Sequence, residues 1–171
     1  MLKITIITLS DRAFKGLYED LSGPKIKELI LNSGIECEIL NFIIPDEEEE
    51  LKKILLNNID SDYIITTGGT GISPRDITPE VTREFCDFEL PGISEMLRFE
   101  SLKETKHAVF SRGFSGIRGK SIVVNFPGSV KAVSLCTKLI IPVLEHGKKM
   151  IEGKGHWGGF KLYALCIRLK S

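Results

Sequence analysis

Apolar residues along the chain follow two alternating rhythms. Ile4 to Leu9, Ile39 to Ile44, Tyr63 to Thr67 and Ile122 to Phe126 are short runs rich in β-branched side chains. Such runs read as strands, those at Tyr63 and Ile122 as buried ones. Between them, apolar positions recur every three or four residues. Ile26, Leu29 and Ile30 follow Ser22-Gly23-Pro24, and Gly34 closes that helix. Asp46 with Glu49 forms a capping-box pattern ahead of the stripe Leu51, Ile54 and Leu55. Further helices are predicted over Pro79 to Phe88, Ile93 to Lys103, Val130 to Ile141 and Pro142 to Ile151. A glycine-rich stretch, Gly153 to Gly159, then leads to a terminal strand at Leu162 to Leu169, suited to a sheet edge. Strands separated by helices imply an α/β fold with a mainly parallel sheet covered on both faces. No internal repeat or linker divides the chain, so residues 1–171 are expected to form a single domain, with an extension of open role at about 152–171.

In such sheets ligands bind beyond the carboxyl ends of the strands. Four motifs follow predicted strands: Ser10-Asp11-Arg12, Pro45-Asp46, the loop Gly68-Gly69-Thr70-Gly71 and Pro127-Gly128-Ser129. All four are expected to line one crevice. The glycine loop continues through Arg75-Asp76 to Thr78-Pro79, read as an N-cap and a first helical residue. Its amides, with the positive end of the next helix, suit a phosphorylated ligand. Asp76 can orient a ligand hydroxyl, bind a cation, accept from a ligand amino group or cap amides of its own turn. Asp46 suits an N-cap, a role compatible with holding Mg²⁺. Ser10-Asp11-Arg12 can equally be a turn with a local Asp–Arg contact. Ser129 can be an N-cap or a phosphate ligand.

Composition narrows the classes. Lys+Arg and Asp+Glu are both 23, so net charge is zero, which argues against broad nucleic-acid or membrane-surface binding. No apolar run approaches the ~20 residues of a membrane span. The apolar start Met1 to Ile7 is too short for a secretory signal, and Cys37, Cys86, Cys136 and Cys166 form no C-x-x-C pair. Reduced thiols and a cytoplasmic location are expected.

Two motif matches fail on context. Gly119-Lys120-Ser121 ends like a phosphate-binding P-loop, but Phe114 occupies the required glycine position and the segment precedes a strand. Gly153, Gly155 and Gly158 fit G-x-G-x-x-G, but after a helix rather than a strand. No G-x-S-x-G elbow is present.

Taken jointly, Ser10-Asp11-Arg12, Gly16, Tyr18, Asp20, Ser22-Gly23-Pro24, Pro45-Asp46, Gly68-Gly69-Thr70-Gly71, Arg75-Asp76 and Thr78-Pro79-Glu80 resemble the molybdopterin adenylyltransferases, with the G domain of gephyrin similar. Pro91-Gly92, Glu95, Arg98, Ser111-Arg112 and Pro127-Gly128-Ser129 continue the resemblance, which covers about Ile4 to Pro142. It implies a three-layer α/β/α sandwich. It also implies transfer of AMP from Mg-ATP to the terminal phosphate of molybdopterin, releasing pyrophosphate before molybdate insertion. Asp46 would be the main catalytic carboxylate, through Mg²⁺, and Asp76 a second, ligand-binding one. Gly68, Gly69, Thr70 and Gly71 would shape the pocket, Gly128 and Ser129 would contact a phosphate, and Ser10 and Asp11 would sit on the crevice wall. A homotrimer or hexamer and a molybdate-inserting partner protein are implied as well. Related members that lack adenylylation replace one or both carboxylates, and both are present here. The alternative is a non-catalytic molybdopterin carrier or scaffold. Val130 stands where a proline often follows the serine, and the segment after Ile151 matches no motif of the family.

Overall fold

The computed structural model of the chain describes residues 1–153. Its six strands are β1 (Leu2–Leu9), β2 (Cys37–Ile44), β3 (Tyr63–Thr67), β4 (Phe88–Glu89), β5 (Ser115–Arg118) and β6 (Ser121–Phe126). They form one sheet in the order β2-β1-β3-β6-β5-β4. The first four in that order run parallel, while β5 lies antiparallel to β6 and to β4. The helices are α1 (Asp11–Phe14), α2 (Ser22–Asn32), α3 (Glu48–Asn57), α4 (Thr78–Phe85), α5 (Pro91–Glu104), α6 (Val130–Ile140) and α7 (Leu144–Ile151), with 3-10 turns at Lys106–Phe110 and Ile141–Val143.

The two-residue period of a strand splits the core into two layers. Leu2, Ile4 and Ile6 point to one face, where Ile26 and Ile30 of α2, Leu97 of α5 and Val133 and Ile140 of α6 cover them. Ile7 and Leu9 point to the other, against Leu51 and Leu55 of α3 and Val81 of α4. The result is the expected α/β/α sandwich. Leu51 and Leu55 are fully buried, and truncating either to alanine costs about 2–5 kcal/mol. That anchorage fixes where α3, and the loop before it, meet the sheet.

A polar tie runs through the core beside the site. Asn125 Oδ1 accepts from Thr82 Oγ1 at 3.0 Å and from the Phe114 amide at 3.1 Å, and Asn125 Nδ2 donates to Thr66 Oγ1 at 2.9 Å. It locks α4 onto β3 and β6.

Four expectations change. The helix after Thr78 ends at Phe85 rather than Phe88, because Cys86 turns extended and the chain enters the edge strand β4. Thr78 lies inside α4 and is not its side-chain cap; its hydroxyl donates instead to the Gly68 carbonyl at 3.0 Å. The Asp46–Glu49 capping box does not form: α3 begins after Glu47 with no side-chain cap. Asp11 makes no ion pair with its neighbour Arg12, which lies over the Tyr18 ring. The strand expected at Leu162 to Leu169, and the glycine-rich segment beyond Gly153, lie outside the described residues.

Candidate active site at the carboxyl ends of the parallel strands

Register decides which loops meet. Leu9 pairs with Ile44, Thr8 with Thr67 and Thr67 with Phe126. The four strand-end motifs therefore leave the sheet at one end, side by side. Gly68 has φ +98° and Gly69 φ +62°, backbone that disfavours any side chain. A Cβ on Gly68 would overlap the Leu9 carbonyl oxygen, and one on Gly69 would overlap the Thr78 hydroxyl. The Gly68 amide donates to the Phe126 carbonyl at 3.2 Å, and a Cβ at Gly128 would stand 3.2 Å from Gly68 Cα. Three loops thus meet backbone to backbone, and at Gly68 only glycine admits that approach.

The amides of Gly69, Thr70 and Gly71 donate to no acceptor among the described residues. They are open to an anion, as are the Val130 and Lys131 amides at the start of α6.

The carboxylates are arranged by long-range partners. Asp46 Oδ2 accepts from the Asp11 amide at 2.9 Å, and the Asp46 amide donates to Asp11 Oδ1 at 3.1 Å. This reciprocal pair ties the end of β2 to the end of β1. Asp11 Oδ2 is held by Arg75 at 2.6 Å, which keeps the Asp11 carboxyl below its ordinary range. Asp46 is half-buried, and burial pushes its carboxyl above the ordinary range; the negative charges of Asp11 and Asp76 add to that. Its Oδ1 takes no protein hydrogen bond among the described residues and lies 3.5 Å from where a Cβ of Gly69 would stand. Asp76 closes its own turn: Oδ2 accepts from the Ser73 amide at 2.7 Å, and a Cβ on Gly71 would come within 2.9 Å of that oxygen.

Both serines cap helices. Ser10 Oγ accepts from the Ala13 amide at 3.2 Å and shares a 2.9 Å hydrogen bond with the Tyr18 hydroxyl. Ser129 Oγ accepts from the Ala132 amide at 3.2 Å, capping α6. Ser129 also lines a mostly apolar cavity of about 260 Å³ with Thr70, Gly71, Leu97, Arg98 and Phe110. A second, wider depression of about 530 Å³ is bordered by Ser73, Asp76, Glu80 and Arg112.

No group of three or more His, Cys, Asp or Glu among the described residues makes a metal cage. Mg²⁺ is commonly held by one or two carboxylates together with substrate phosphates. Asp46, with one oxygen committed to backbone and one facing the glycine loop, fits that mode.

The residues singled out in the sequence therefore do meet. Reading residue by residue misses Arg112 and Arg98 as parts of the site. Arg112 binds the carbonyls of Gly71 and Asp76, and Arg98 Nη1 donates to the Ser111 carbonyl at 2.9 Å, shaping the apolar cavity. The carbonyl groups they hold lie on other segments and leave no spacing in the sequence.

Residues 5–146 match the family described as "probable molybdopterin binding domain". A molybdopterin adenylyltransferase of Helicobacter pylori is 40% identical over 154 residues, 88% of each chain. Gephyrin of Dictyostelium discoideum is 34% identical over 162 residues, 88% of this chain and 23% of that one. The crystal structure of the molybdopterin biosynthesis enzyme MoaB of Thermus thermophilus superposes with a TM-score of 0.81 at 38% identity, covering 90% of this chain and 98% of that one. With the family model, the sheet order and the strand-end crevice in agreement, the chain belongs to the molybdopterin-binding domain family.

Proposed function

We propose that this protein is a molybdopterin adenylyltransferase. It transfers AMP from Mg-ATP to the terminal phosphate of molybdopterin. A phosphate oxygen of the pterin attacks the α-phosphorus of ATP, the bond from that phosphorus to the bridging oxygen breaks, and pyrophosphate leaves. The adenylylated pterin then goes on to molybdate insertion. Phosphoryl-type transfer depends chiefly on positioning and charge neutralisation, so no covalent enzyme intermediate is needed.

One observation carries the reading. The half-buried Asp46 faces a glycine loop whose amides are open, in a crevice that also holds Asp76. Asp46 is the residue that would hold Mg²⁺, which when bound neutralises phosphate charge. The amides of Gly69, Thr70 and Gly71 and the N-terminus of α6 at Gly128-Ser129 receive phosphate oxygens. The apolar cavity beside Leu97 and Phe110 suits a flat heterocycle. Asp11 holds Asp46 and Arg75 in place. The name of the Helicobacter pylori relative supports the same activity.

A homotrimer or hexamer, a molybdate-inserting partner and a cytoplasmic location belong to this reading; sedimentation equilibrium tests the first, and a monomer would contradict it. The described residues include no helix long and apolar enough to cross a membrane. Asp46→Ala tests the site: turnover should fall at least ~100-fold while pterin binding persists. Unchanged turnover would remove Asp46 from the chemistry.

A further inference from the structure

We propose that Arg112 is a positioning residue whose guanidinium clamps the turn from Gly71 to Asp76 and so aims the Asp76 carboxylate into the crevice. The inference rests on the adenylyltransferase reading for its activity arm. Arg112 follows the 3-10 turn Lys106–Phe110, far along the chain from the loop it holds. Its own amide donates to the Thr70 carbonyl at 2.9 Å. Its Nε donates to the Gly71 carbonyl at 2.5 Å and its Nη2 to the Asp76 carbonyl at 2.6 Å. Its Nη1 pairs with Glu80 on α4, which ties the fork to the helix.

The guanidinium thus bridges both ends of the turn from Gly71 to Asp76. The effect on the site follows from peptide geometry. In a trans peptide the N–H points away from the preceding C=O, and no cis bond occurs among the described residues. The Arg112 main-chain amide, which any residue but proline at that position keeps, holds the Thr70 carbonyl; the guanidinium holds the Gly71 carbonyl and so fixes the peptide that follows it. Holding the Asp76 carbonyl fixes the backbone from which its carboxylate projects. A planar five-donor fork can meet three acceptors in fixed directions, whereas a lysine ammonium on a flexible stem cannot.

The test is a double-mutant cycle on pyrophosphate release with ATP, Mg²⁺ and molybdopterin, comparing wild type, Arg112→Ala, Asp76→Asn and the double variant. Arg112→Ala should lower kcat by up to ~100-fold, since small misplacements cost that much, with KM changed far less. Arg112→Lys should not restore it. In the Asp76→Asn background the same change should cost little more, because the two act as a unit. A general loss of folded protein would lower both backgrounds equally. Additive losses, or an Arg112→Ala enzyme as active as wild type, would overturn the proposal. If Arg112→Ala does not fold, Glu80→Gln removes one anchor of the fork and should show the same coupling at smaller size; additivity there overturns it. Amide exchange at Ser73 and Asp76, whose N–H groups close the turn, gives a second reading. Faster exchange in Arg112→Ala supports the clamp and unchanged exchange refutes it. If wild type releases no pyrophosphate, the adenylyltransferase reading fails while exchange still decides the clamp.

Discussion

Gly68→Ala tests whether the loops of the crevice meet as closely as described. Alanine at φ +98° is strained in itself, by roughly 1–2 kcal/mol for a side chain in left-handed backbone. The new methyl would also overlap the Leu9 carbonyl oxygen, a backbone atom that cannot rotate away. Overpacking of that kind adds about 1–3 kcal/mol. The sum, about 2–5 kcal/mol, is a large share of the ~5–15 kcal/mol that holds a domain folded. Gly16→Ala is the control: its φ is +68°, but nothing lies within 4 Å of the added carbon. It should lose only the conformational part, about 1–2 kcal/mol. Urea unfolding measures both. With a slope of about 2 kcal/mol per molar, the midpoint should fall by ~1–2.5 M for Gly68→Ala and by ~0.5–1 M for Gly16→Ala. Equal losses, or a smaller loss at Gly68, would refute the close approach of β1 and the loop.

Gly71→Ala should act on the site rather than the fold, since its new carbon meets only the Asp76 carboxylate at 2.9 Å; the urea midpoint should stay within ~0.5 M of wild type while turnover drops about tenfold or more, and a large stability loss would contradict this. The pH profile of kcat/KM should show an acid limb above the ordinary aspartate value of about 3.9, because Asp46 must be ionised and burial raises its pKa; the limb should vanish in the residual activity of Asp46→Asn. The same shift predicts the sign of a stability effect. Between the unfolded and the raised native pKa the native state binds more protons, so wild-type stability falls as pH rises through that window. Asp46→Asn should therefore melt no lower than wild type at pH 7, and a much lower melting temperature would show that the charge stabilises the fold.

Much of this site is legible in the chain because it sits at strand ends. Ile4 to Leu9, Tyr63 to Thr67 and Ile122 to Phe126 are apolar on both sides, and that alone implies a covered parallel sheet. The loops after those strands then have to share one edge. Other features depend on partners far away. Phe88–Glu89 and Ser115–Arg118 form short strands only because they pair with each other and Ser115–Arg118 pairs with β6, and neither run has enough apolar length to announce itself. Asp46 has the spacing of a cap, yet its carboxylate turns to the Asp11 amide instead. Local spacing weighs only the nearest competitor for a hydrogen bond. Arg112 was visible as part of a family pattern, but its role depends on carbonyl groups, which no side-chain motif encodes.

Transfer of AMP itself is the most direct test. Purified protein incubated with Mg²⁺, molybdopterin and ATP labelled at the α-phosphate should place the label on the pterin and release one pyrophosphate for each AMP transferred. Folded protein that binds molybdopterin yet leaves the label in ATP would contradict the account and make the chain a carrier of the pterin.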